Sequence, residues 1–263
     1  MNDLNTLKDV RFAAADIDLA GALGGDLESR IRSRAERVSW QNGLGMRLPR
    51  RGEPLFVPSA RRTRHLIAKR AFDILASAGA LLALLPFFII LAVLIKTTSK
   101  GPVLFRQERE GRWGKPFMAY KFRSMKVEEC DLSGVAQTVK DDPRVTAIGR
   151  LIRRTSIDEL PQLLNVLMGD MSLVGPRPHV SGMLAGGMGY KELVPYYDQR
   201  LEMLPGLTGW AQVNGLRGPT ERADRARARI DHDLAYIQNF SFWLDLYIIG
   251  QTIRHEFVGG SGH

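Results

Sequence analysis

The sequence has few of the residues on which several common kinds of site depend. Cys130 is the only cysteine among 263 residues, so an internal disulfide is excluded, as suits a protein that faces the cytosol. No Walker-type phosphate loop and no GxSxG nucleophile elbow occurs. The histidines also lack the paired spacing that zinc ligands need: His65, His179, His232, His255 and His263. The sequence therefore predicts neither a zinc enzyme, a P-loop NTPase nor an α/β-hydrolase.

The N-terminal region lacks the apolar core of a signal peptide, because charged residues interrupt it from Asp3 onwards. Positive charge is concentrated further along the chain. The formal net charge is +9, and residues 47–70 contain eight lysines and arginines against the single acidic residue Glu53. Such a stretch suits nucleic acid, an anionic membrane surface or a solvated linker. Because Phe56 is its only aromatic residue, we expect no nucleic-acid partner.

A long segment without charge follows directly. Residues 74–95 contain no charged side chain, and as a helix they would be about 33 Å long, enough to cross a bilayer. Pro86 interrupts the backbone hydrogen bonding near the middle, and both flanks are basic. We therefore predict a Pro-kinked helix that enters the membrane and returns. A single span and a buried helix of a soluble protein are the alternatives.

The whole chain predicts an α+β fold that is mostly helical, with a small β element. We expect a basic, partly disordered extension at residues 1–60, the membrane-associated re-entrant helix at 61–100 and a cytosol-facing catalytic domain at 101–258. Short strands are expected at 103–105 and 117–120, and a loop at 128–139. Helices are expected at 144–154, 160–168, 190–204 and 220–256. The last of these is either an interfacial amphipathic helix or a helix packed on the core.

The adjacent carboxylates Asp158 and Glu159 are the most informative polar residues. Ser156 precedes Glu159 by three positions, which fits a helix capping box and so a purely structural role. Arg153 lies upstream and Arg177 lies in a rigid Pro-Arg-Pro frame, and guanidinium groups suit phosphate oxygens. Two carboxylates among arginines also fit phosphoryl transfer, with one attacking phosphorus and the other holding Mg²⁺. These residues alone leave both explanations open.

Taken together, several motifs resemble the bacterial sugar transferases, the monotopic polyprenyl-phosphate phosphoglycosyl transferases. The resemblance runs from about residue 66 to residue 255. Its motifs, in chain order, are KRAFD from residue 69, GPVLFRQ from 101, GRWGK from 111, KFRSM from 121, DPRVT from 142, TSIDELPQ from 155, GDMSLVGPRP from 169 and PGLTGWAQVNG from 205. The likeness is strongest to the enzymes that initiate exopolysaccharide synthesis in rhizobia-like bacteria.

The resemblance implies a reaction and the residues that carry it. A UDP-hexose would donate hexose-1-phosphate to polyprenyl phosphate and release UMP, which initiates exopolysaccharide assembly. Asp158 would be the nucleophile of a covalent aspartyl-phosphosugar intermediate, and Glu159 would be its companion at Mg²⁺. Four cationic residues are assigned to the substrate phosphates: Lys121, Arg123, Arg153 and Arg177.

The resemblance also implies partners and a location. They are a UDP-sugar, polyprenyl phosphate and the lipid bilayer at the cytoplasmic face of the bacterial inner membrane, with a homodimer as a further expectation. The family's membrane element is re-entrant, which agrees with the argument from Pro86. Glu110 stands where an apolar residue is expected, and residues 216–218 favour UDP-glucose or UDP-galactose as the donor. A membrane-associated scaffold or a phosphatase of the same pathway is the alternative function.

Overall fold

The computed structural model describes residues 44–46, 54–126 and 142–259. Cys130, the expected loop at 128–139 and most of the expected N-terminal extension therefore lie outside the described residues. The described chain is mostly helical with a few short strands, which confirms the predicted fold class at that level.

The region predicted to associate with the membrane is one helix of 39 residues, α1 (Ala60–Thr98). The Ser59 hydroxyl accepts a hydrogen bond from the Arg62 backbone N–H at 3.2 Å and caps the first turn. The helix continues through Pro86, so the predicted break at that residue is not found. A proline removes one backbone donor, and a helix can continue past it with a local bend. Re-entrance therefore stays a prediction.

The outer surface of α1 is apolar and exposed. Its most apolar window of 18 residues has a mean hydropathy of 2.8 and is 11% buried, so α1 is long and apolar enough to cross a membrane. The buried helix of a soluble protein, one of the alternatives, does not fit this exposure. The largest exposed apolar side chains in its middle and C-terminal parts are Leu75, Leu82, Leu85, Phe87, Ile89, Ile90, Val93 and Leu94.

Both ends of α1 contact the same folded unit. Towards the N-terminal end, Lys69 Nζ donates to Asp245 Oδ2 at 2.7 Å and to the Val174 carbonyl at 2.8 Å. Towards the C-terminal end, the Phe88 ring packs against Phe122 with centroids 5.2 Å apart, and the Ser99 carbonyl accepts from Arg123 Nη2 at 2.6 Å. The two basic flanks of the apolar segment therefore meet one unit, the arrangement that their charge favours.

A β-hairpin follows α1 and confirms the predicted strands. Strand β1 (Leu104–Glu110) pairs antiparallel with β2 (Pro116–Phe122). A 3₁₀ turn at Arg112–Gly114 connects them, with Trp113 and Gly114 at φ values of 59° and 72°. This small sheet positions Lys121 and Arg109, which return in the site.

Two short helices enclose the carboxylate pair. Helix α2 (Ala147–Arg154) begins at Thr146, whose hydroxyl accepts from the Gly149 N–H at 2.9 Å. Helix α3 (Gln162–Met168) ends at Gly169, whose φ of 95° favours glycine. Both helices lie within segments that the sequence predicts to be helical.

The core of the unit is built from the C-terminal half of the chain. The parallel strands β3 (Ser172–Val174) and β6 (Gly206–Thr208) pair beside α6 (Ala223–Gln238) and α7 (Phe242–Gly259). The remaining short elements are β4 (Leu184–Ala185), β5 (Met188–Gly189), α4 (Tyr190–Leu193), a 3₁₀ helix at Tyr197–Glu202 and α5 (Trp210–Val213). The predicted helix at 190–204 is thus two short helices, and the one predicted at 220–256 is interrupted at residues 239–241.

Helix α7 has two different faces. Ile248 and Asp245 are buried against the core, whereas Trp243 is 71% exposed and Tyr247 is 54% exposed. Packing on the core, one of the two predicted alternatives, is therefore present. The interfacial role of the exposed aromatic face stays a prediction.

Candidate functional site

The chain between α2 and α3 determines where the two carboxylates point. Ser156 adopts a left-handed conformation with φ 53°, and Ile157–Glu159 then form one turn of 3₁₀ helix. Pro161 follows at the start of α3, where its missing N–H costs nothing. The Ser156 side chain makes no capping hydrogen bond in the described chain, so the predicted capping box does not form. The structural explanation of Glu159 is therefore not supported.

Glu159 is the acceptor of a cluster of charge-assisted hydrogen bonds. Lys121 Nζ donates to its Oε1 at 2.7 Å. Arg177 donates to both oxygens, from Nη2 to Oε1 at 2.6 Å and from Nη1 to Oε2 at 3.1 Å. Although burial raises the pKa of Glu159, Arg177 and Lys121 outweigh it and hold that pKa well below its ordinary value. Glu159 is therefore an ionised, fully paired carboxylate.

Asp158 has opposite surroundings although it is the adjacent residue. Its side chain is buried, and across residues 44–46, 54–126 and 142–259 no hydrogen bond or ion pair reaches its carboxylate. Burial raises the pKa of Asp158 to about 6, partly offset by Lys121 and raised further by Glu159. A carboxylate with a raised pKa and unoccupied oxygens is suited to attack an electrophile.

Arg109 belongs to the same cluster, and the sequence did not indicate it. Burial, and then the like charge of Arg177, lowers the pKa of Arg109 to about 10, whereas Glu159 raises it. Lys121 lies on the paired strand, opposite Phe105, and burial and then the charge of Arg109 lower the pKa of Lys121, whereas Glu159 raises it. We define the cation cluster as Arg109, Lys121, Arg153 and Arg177. Arg109 lies outside the motif stretch that carries Asp158, and its hydrogen bond to the Pro178 carbonyl at 3.2 Å holds it here.

Arg153 and Arg123 differ in what they face. Arg153, on the last turn of α2, lowers the pKa of Asp158 by its charge and makes one long contact, 3.4 Å, to the Ser124 hydroxyl. Arg123 is 3% exposed, and its guanidinium donates to backbone carbonyls, including those of Ile95 at 3.2 Å and Ser99 at 2.6 Å. The described contacts of Arg123 are therefore with the end of α1, and its predicted role at a substrate phosphate stays a prediction.

Comparison with known proteins identifies the family of this chain. The family model described as bacterial sugar transferase matches residues 64–259. The exopolysaccharide production protein PSS of Rhizobium leguminosarum bv. phaseoli is 59% identical over 197 residues, which cover 75% of this chain and 98% of that protein. This chain belongs to the bacterial sugar transferase family.

Two longer members of the family are also similar. An undecaprenyl-phosphate glucose phosphotransferase of Komagataeibacter xylinus is 51% identical over 191 residues, which cover 73% of this chain and 36% of that protein. A UDP-glucose:undecaprenyl-phosphate glucose-1-phosphate transferase of Klebsiella pneumoniae is 46% identical over 199 residues, covering 76% of this chain and 42% of that protein. The chain thus spans less than half of these two relatives.

Glu110, the residue that departs from the expected family pattern, has polar partners in this sugar transferase. Its Oε2 accepts a hydrogen bond from the Tyr197 hydroxyl at 2.8 Å, and Lys191 Nζ lies 3.9 Å from its Oε1. Its backbone N–H donates to the His179 carbonyl at 2.8 Å. The carboxylate at the end of β1 is therefore compensated and does not disturb the turn.

The predicted Mg²⁺ can be compared with the oxygen atoms present. Within the described ranges no three His, Cys, Asp or Glu side chains converge on one point. Oε1 of Glu159 accepts two hydrogen bonds, whereas Oε2 accepts one and the Asp158 oxygens accept none. These free oxygen positions fit a Mg²⁺ whose remaining ligands come from water and substrate phosphates, its usual mode of binding. The metal stays a prediction.

Proposed function

We propose that this protein transfers a hexose-1-phosphate from a UDP-hexose to polyprenyl phosphate and releases UMP, through a covalent intermediate on Asp158, and that it thereby initiates exopolysaccharide assembly. The observation that carries the proposal is the difference in surroundings between the two adjacent carboxylates. Glu159 is neutralised by Lys121 and Arg177, whereas Asp158 lies near the same cations and its oxygens accept no hydrogen bond from the part of the chain that the structure describes.

The first half of the reaction is attack by the carboxylate on phosphorus. An Asp158 oxygen forms a bond to the phosphorus that carries the sugar. The bond from that phosphorus to the bridging oxygen breaks, and UMP leaves with the bridging oxygen and its electron pair. The hexose-1-phosphoryl group is then held as a mixed anhydride, which keeps enough energy to pass the group on.

The second half of the reaction regenerates the free Asp158 carboxylate. An oxygen of polyprenyl phosphate attacks the same phosphorus, the bond to Asp158 breaks, and the carboxylate leaves ionised. The product is a polyprenyl diphosphate sugar. Splitting the transfer in this way lets one site serve a soluble donor and a lipid acceptor in turn.

The cation cluster matches the charge of the donor. Its four cations and the two carboxylates leave a formal excess of two positive charges around Asp158. A diphosphate brings negative charge beside an anionic nucleophile, and fixed cations stabilise the additional charge in the transition state. Mg²⁺ bound at the free carboxylate oxygens with the diphosphate would supply further charge neutralisation. Among the residues that the structure describes, Arg153 makes one long hydroxyl contact, which leaves its guanidinium able to turn to the phosphates.

Names of relatives support the donor and the acceptor. Two of the relatives given above are named for undecaprenyl phosphate and glucose, at 51% and 46% identity. The Rhizobium relative is named for exopolysaccharide production. Together with residues 216–218, they favour UDP-glucose over other donors, with UDP-galactose as the second candidate.

The proposed activity is tested with purified protein in detergent or lipid, Mg²⁺, polyprenyl phosphate and each UDP-hexose separately. We expect UMP and a lipid-linked hexose diphosphate in equal amounts, most rapidly with UDP-glucose. Free hexose-1-phosphate without the lipid product would identify a phosphatase-like hydrolase. If no UDP-sugar gives UMP, the transferase proposal is wrong and the membrane-associated scaffold is the remaining alternative. Omission of Mg²⁺ with EDTA tests the metal, and Mn²⁺ binding measured by electron paramagnetic resonance gives a readout independent of turnover.

We also propose that the protein is monotopic, with both flanks of α1 on the cytoplasmic face of the inner membrane. The contacts of Lys69 and Ser99 with one folded unit support this, because a single crossing would separate the two flanks. Thr63 and Thr97 are exposed and flank the apolar segment. With Cys130 replaced by serine, Thr63→Cys and Thr97→Cys should both react from the cytoplasmic side only. Labelling from opposite sides would establish a single span.

A further inference from the structure

The backbone that carries Arg177 is held by an unusual set of donors. We define the arginine segment as residues 176–179, of sequence Pro-Arg-Pro-His. Its two prolines have no N–H, so the segment depends on its carbonyls for attachment to the rest of the fold. All four carbonyls accept hydrogen bonds from other elements of the described chain.

Backbone amides hold the two ends of the arginine segment, and arginine side chains hold its centre. The Pro176 carbonyl accepts from Gly206 N–H at 2.9 Å, and the His179 carbonyl accepts from Glu110 N–H at 2.8 Å. The Pro178 carbonyl accepts from Arg109 Nη1 at 3.2 Å. The remaining carbonyl, that of Arg177, accepts from a different donor.

That donor is Arg200, on the 3₁₀ helix Tyr197–Glu202. Its Nη2 donates to the Arg177 carbonyl. The same guanidinium is fixed by Asp233 on α6, whose Oδ2 lies 2.9 Å from Nε and 2.8 Å from Nη2. Nη1 lies 3.4 Å from the Tyr197 hydroxyl. Arg200 is 1% exposed and Asp233 is 2% exposed, so neither reaches solvent or a substrate.

A fully buried ion pair contributes little net stability compared with apolar side chains of similar volume, because both charges are desolvated. Its directional hydrogen bonds, however, fix geometry. Arg177 uses both terminal nitrogens on Glu159, and a bidentate pair depends on the position of the backbone behind it.

From these contacts we propose that Arg200, oriented by Asp233, is a positioning residue that acts on Glu159 through the backbone of Arg177. The inference rests on the proposed function only for its effect on turnover, because the attachment itself belongs to the fold. Arg200 touches no reacting atom. Arg200→Lys keeps the charge but cannot reach both Asp233 and the Arg177 carbonyl, since lysine lacks the planar fork.

A double-mutant cycle tests the route through Arg177. Turnover, measured as UMP release, is compared for Arg200→Lys in the wild-type chain and in an Arg177→Ala chain. We expect a loss of about tenfold in the first and less than about twofold in the second, because residues that act as a unit are not additive. The same factor in both chains would show that Arg200 is merely structural and would overturn the proposal.

Arg70→Lys is the matched control. Arg70 also binds two carbonyls, those of Val166 at 2.6 Å and Leu167 at 2.9 Å, but it makes no hydrogen bond with the arginine segment in the described chain. Its effect on turnover should be the same factor with and without Arg177. Thermal unfolding of every variant is measured alongside. Where Arg200→Lys fails to fold, Asp233→Asn takes its place, because it keeps the volume and one acceptor oxygen.

Amide hydrogen exchange tests the attachment without any assay of activity. In Arg200→Lys, the peptide covering residues 172–184 should exchange faster, while the peptide covering β1 and β2 should exchange as in the wild type. Unchanged exchange at residues 172–184, or exchange that is faster by the same factor throughout the protein, would show that Arg200 does not hold the arginine segment. Failure of the wild-type protein to release UMP from any UDP-hexose would instead remove the proposed function, and exchange would still decide the role of Arg200.

Discussion

Asp158 and Glu159 are adjacent in the chain but have opposite surroundings. Glu159 is bound by two cationic side chains and its pKa is well below the ordinary value. Asp158 is buried without a partner in the described residues, and its pKa is raised to about 6. Successive side chains of a 3₁₀ turn point about 120° apart, so a single turn directs them to different neighbours.

This difference shows how one charged site can hold both a stable and a reactive carboxylate. The cations are aligned by Glu159, which leaves Asp158 close to positive charge but free of hydrogen bonds. A carboxylate that accepts hydrogen bonds is a weaker nucleophile. A buried carboxylate without nearby cations would have a still higher pKa and would stay protonated up to a higher pH. The following predictions test whether the two residues are separate in function as well as in environment.

Replacement of the free carboxylate should have the largest effect on turnover. Asp158→Asn removes the attacking oxygen charge, so we expect UMP release to fall by about 10⁴-fold or more. The same variant should be more stable than the wild type, by about 2 kcal/mol, because it removes a buried charge with a raised pKa. Turnover and chemical unfolding are measured on the same preparations.

The pH dependence of stability provides the control for that prediction. The folded-state pKa of Asp158, about 6, lies above the ordinary value of 3.8, so the folded state binds more protons between these values. The contribution of Asp158 to stability is therefore lost as pH rises from about 4 to about 6. Asp158→Asn should lack this component. An identical pH profile in both proteins would contradict the raised pKa.

Replacement of the paired carboxylate should have a smaller effect on turnover and the opposite effect on stability. Glu159→Gln leaves Lys121 and Arg177 without their counter-ion, so we expect a loss of about 2 kcal/mol, moderated because Arg177 is a third exposed. Misplaced cations should lower turnover by about 10²-fold. A gain in stability, as expected for Asp158→Asn, would remove the contrast between the two residues.

Removal of one cation should shift the pH dependence of the reaction. Attack requires ionised Asp158, so kcat/KM should fall below about pH 6. Lys121 lowers the pKa of Asp158, and Lys121→Met should therefore move this acid limb to higher pH. The pH profile of kcat/KM, with Arg70→Lys as the control, checks the direction. A shift to lower pH would show that Lys121 does not act on Asp158.

Much of this arrangement can be predicted from the sequence, because it depends on local patterns. The apolar segment, the two strands and the helices around residues 144–168 follow from periodicity and turn residues. Asp158 and Glu159 stand out by their neighbours in the chain, but their roles are implied by the family resemblance and stay predictions. The helix continues past Pro86, and a kink there stays a prediction as well.

Other parts depend on contacts between distant residues. Arg109 approaches Arg177 and Glu159 only because the hairpin and the arginine segment lie side by side. The pairing of Arg200 with Asp233 joins positions 33 residues apart, and no local pattern indicates it. Arg123 is predicted to bind phosphate by its place in a motif, whereas its terminal nitrogens donate to backbone carbonyls at the end of α1, a contact between distant residues.

The smallest effect on turnover is expected at Arg123. Arg123→Lys should lose about 1–2 kcal/mol of stability, because the guanidinium bonds to the Pro102, Ile95 and Ser99 carbonyls are weakened. Turnover should change by less than about threefold, and the acid limb should not move, since Arg123 is not among the groups that shift the pKa of Asp158. A large rise in KM for the UDP-sugar would return Arg123 to the phosphate site.

The most direct test of the central claim is to trap the intermediate on Asp158. The protein is incubated with UDP-glucose and Mg²⁺ but without polyprenyl phosphate, quenched in acid and analysed by intact-protein and peptide mass spectrometry. The account predicts one hexose phosphate added to the peptide containing residues 155–162 in the wild type, and none in Asp158→Asn. The same adduct in Asp158→Asn, or an adduct confined to a peptide without Asp158, would contradict it.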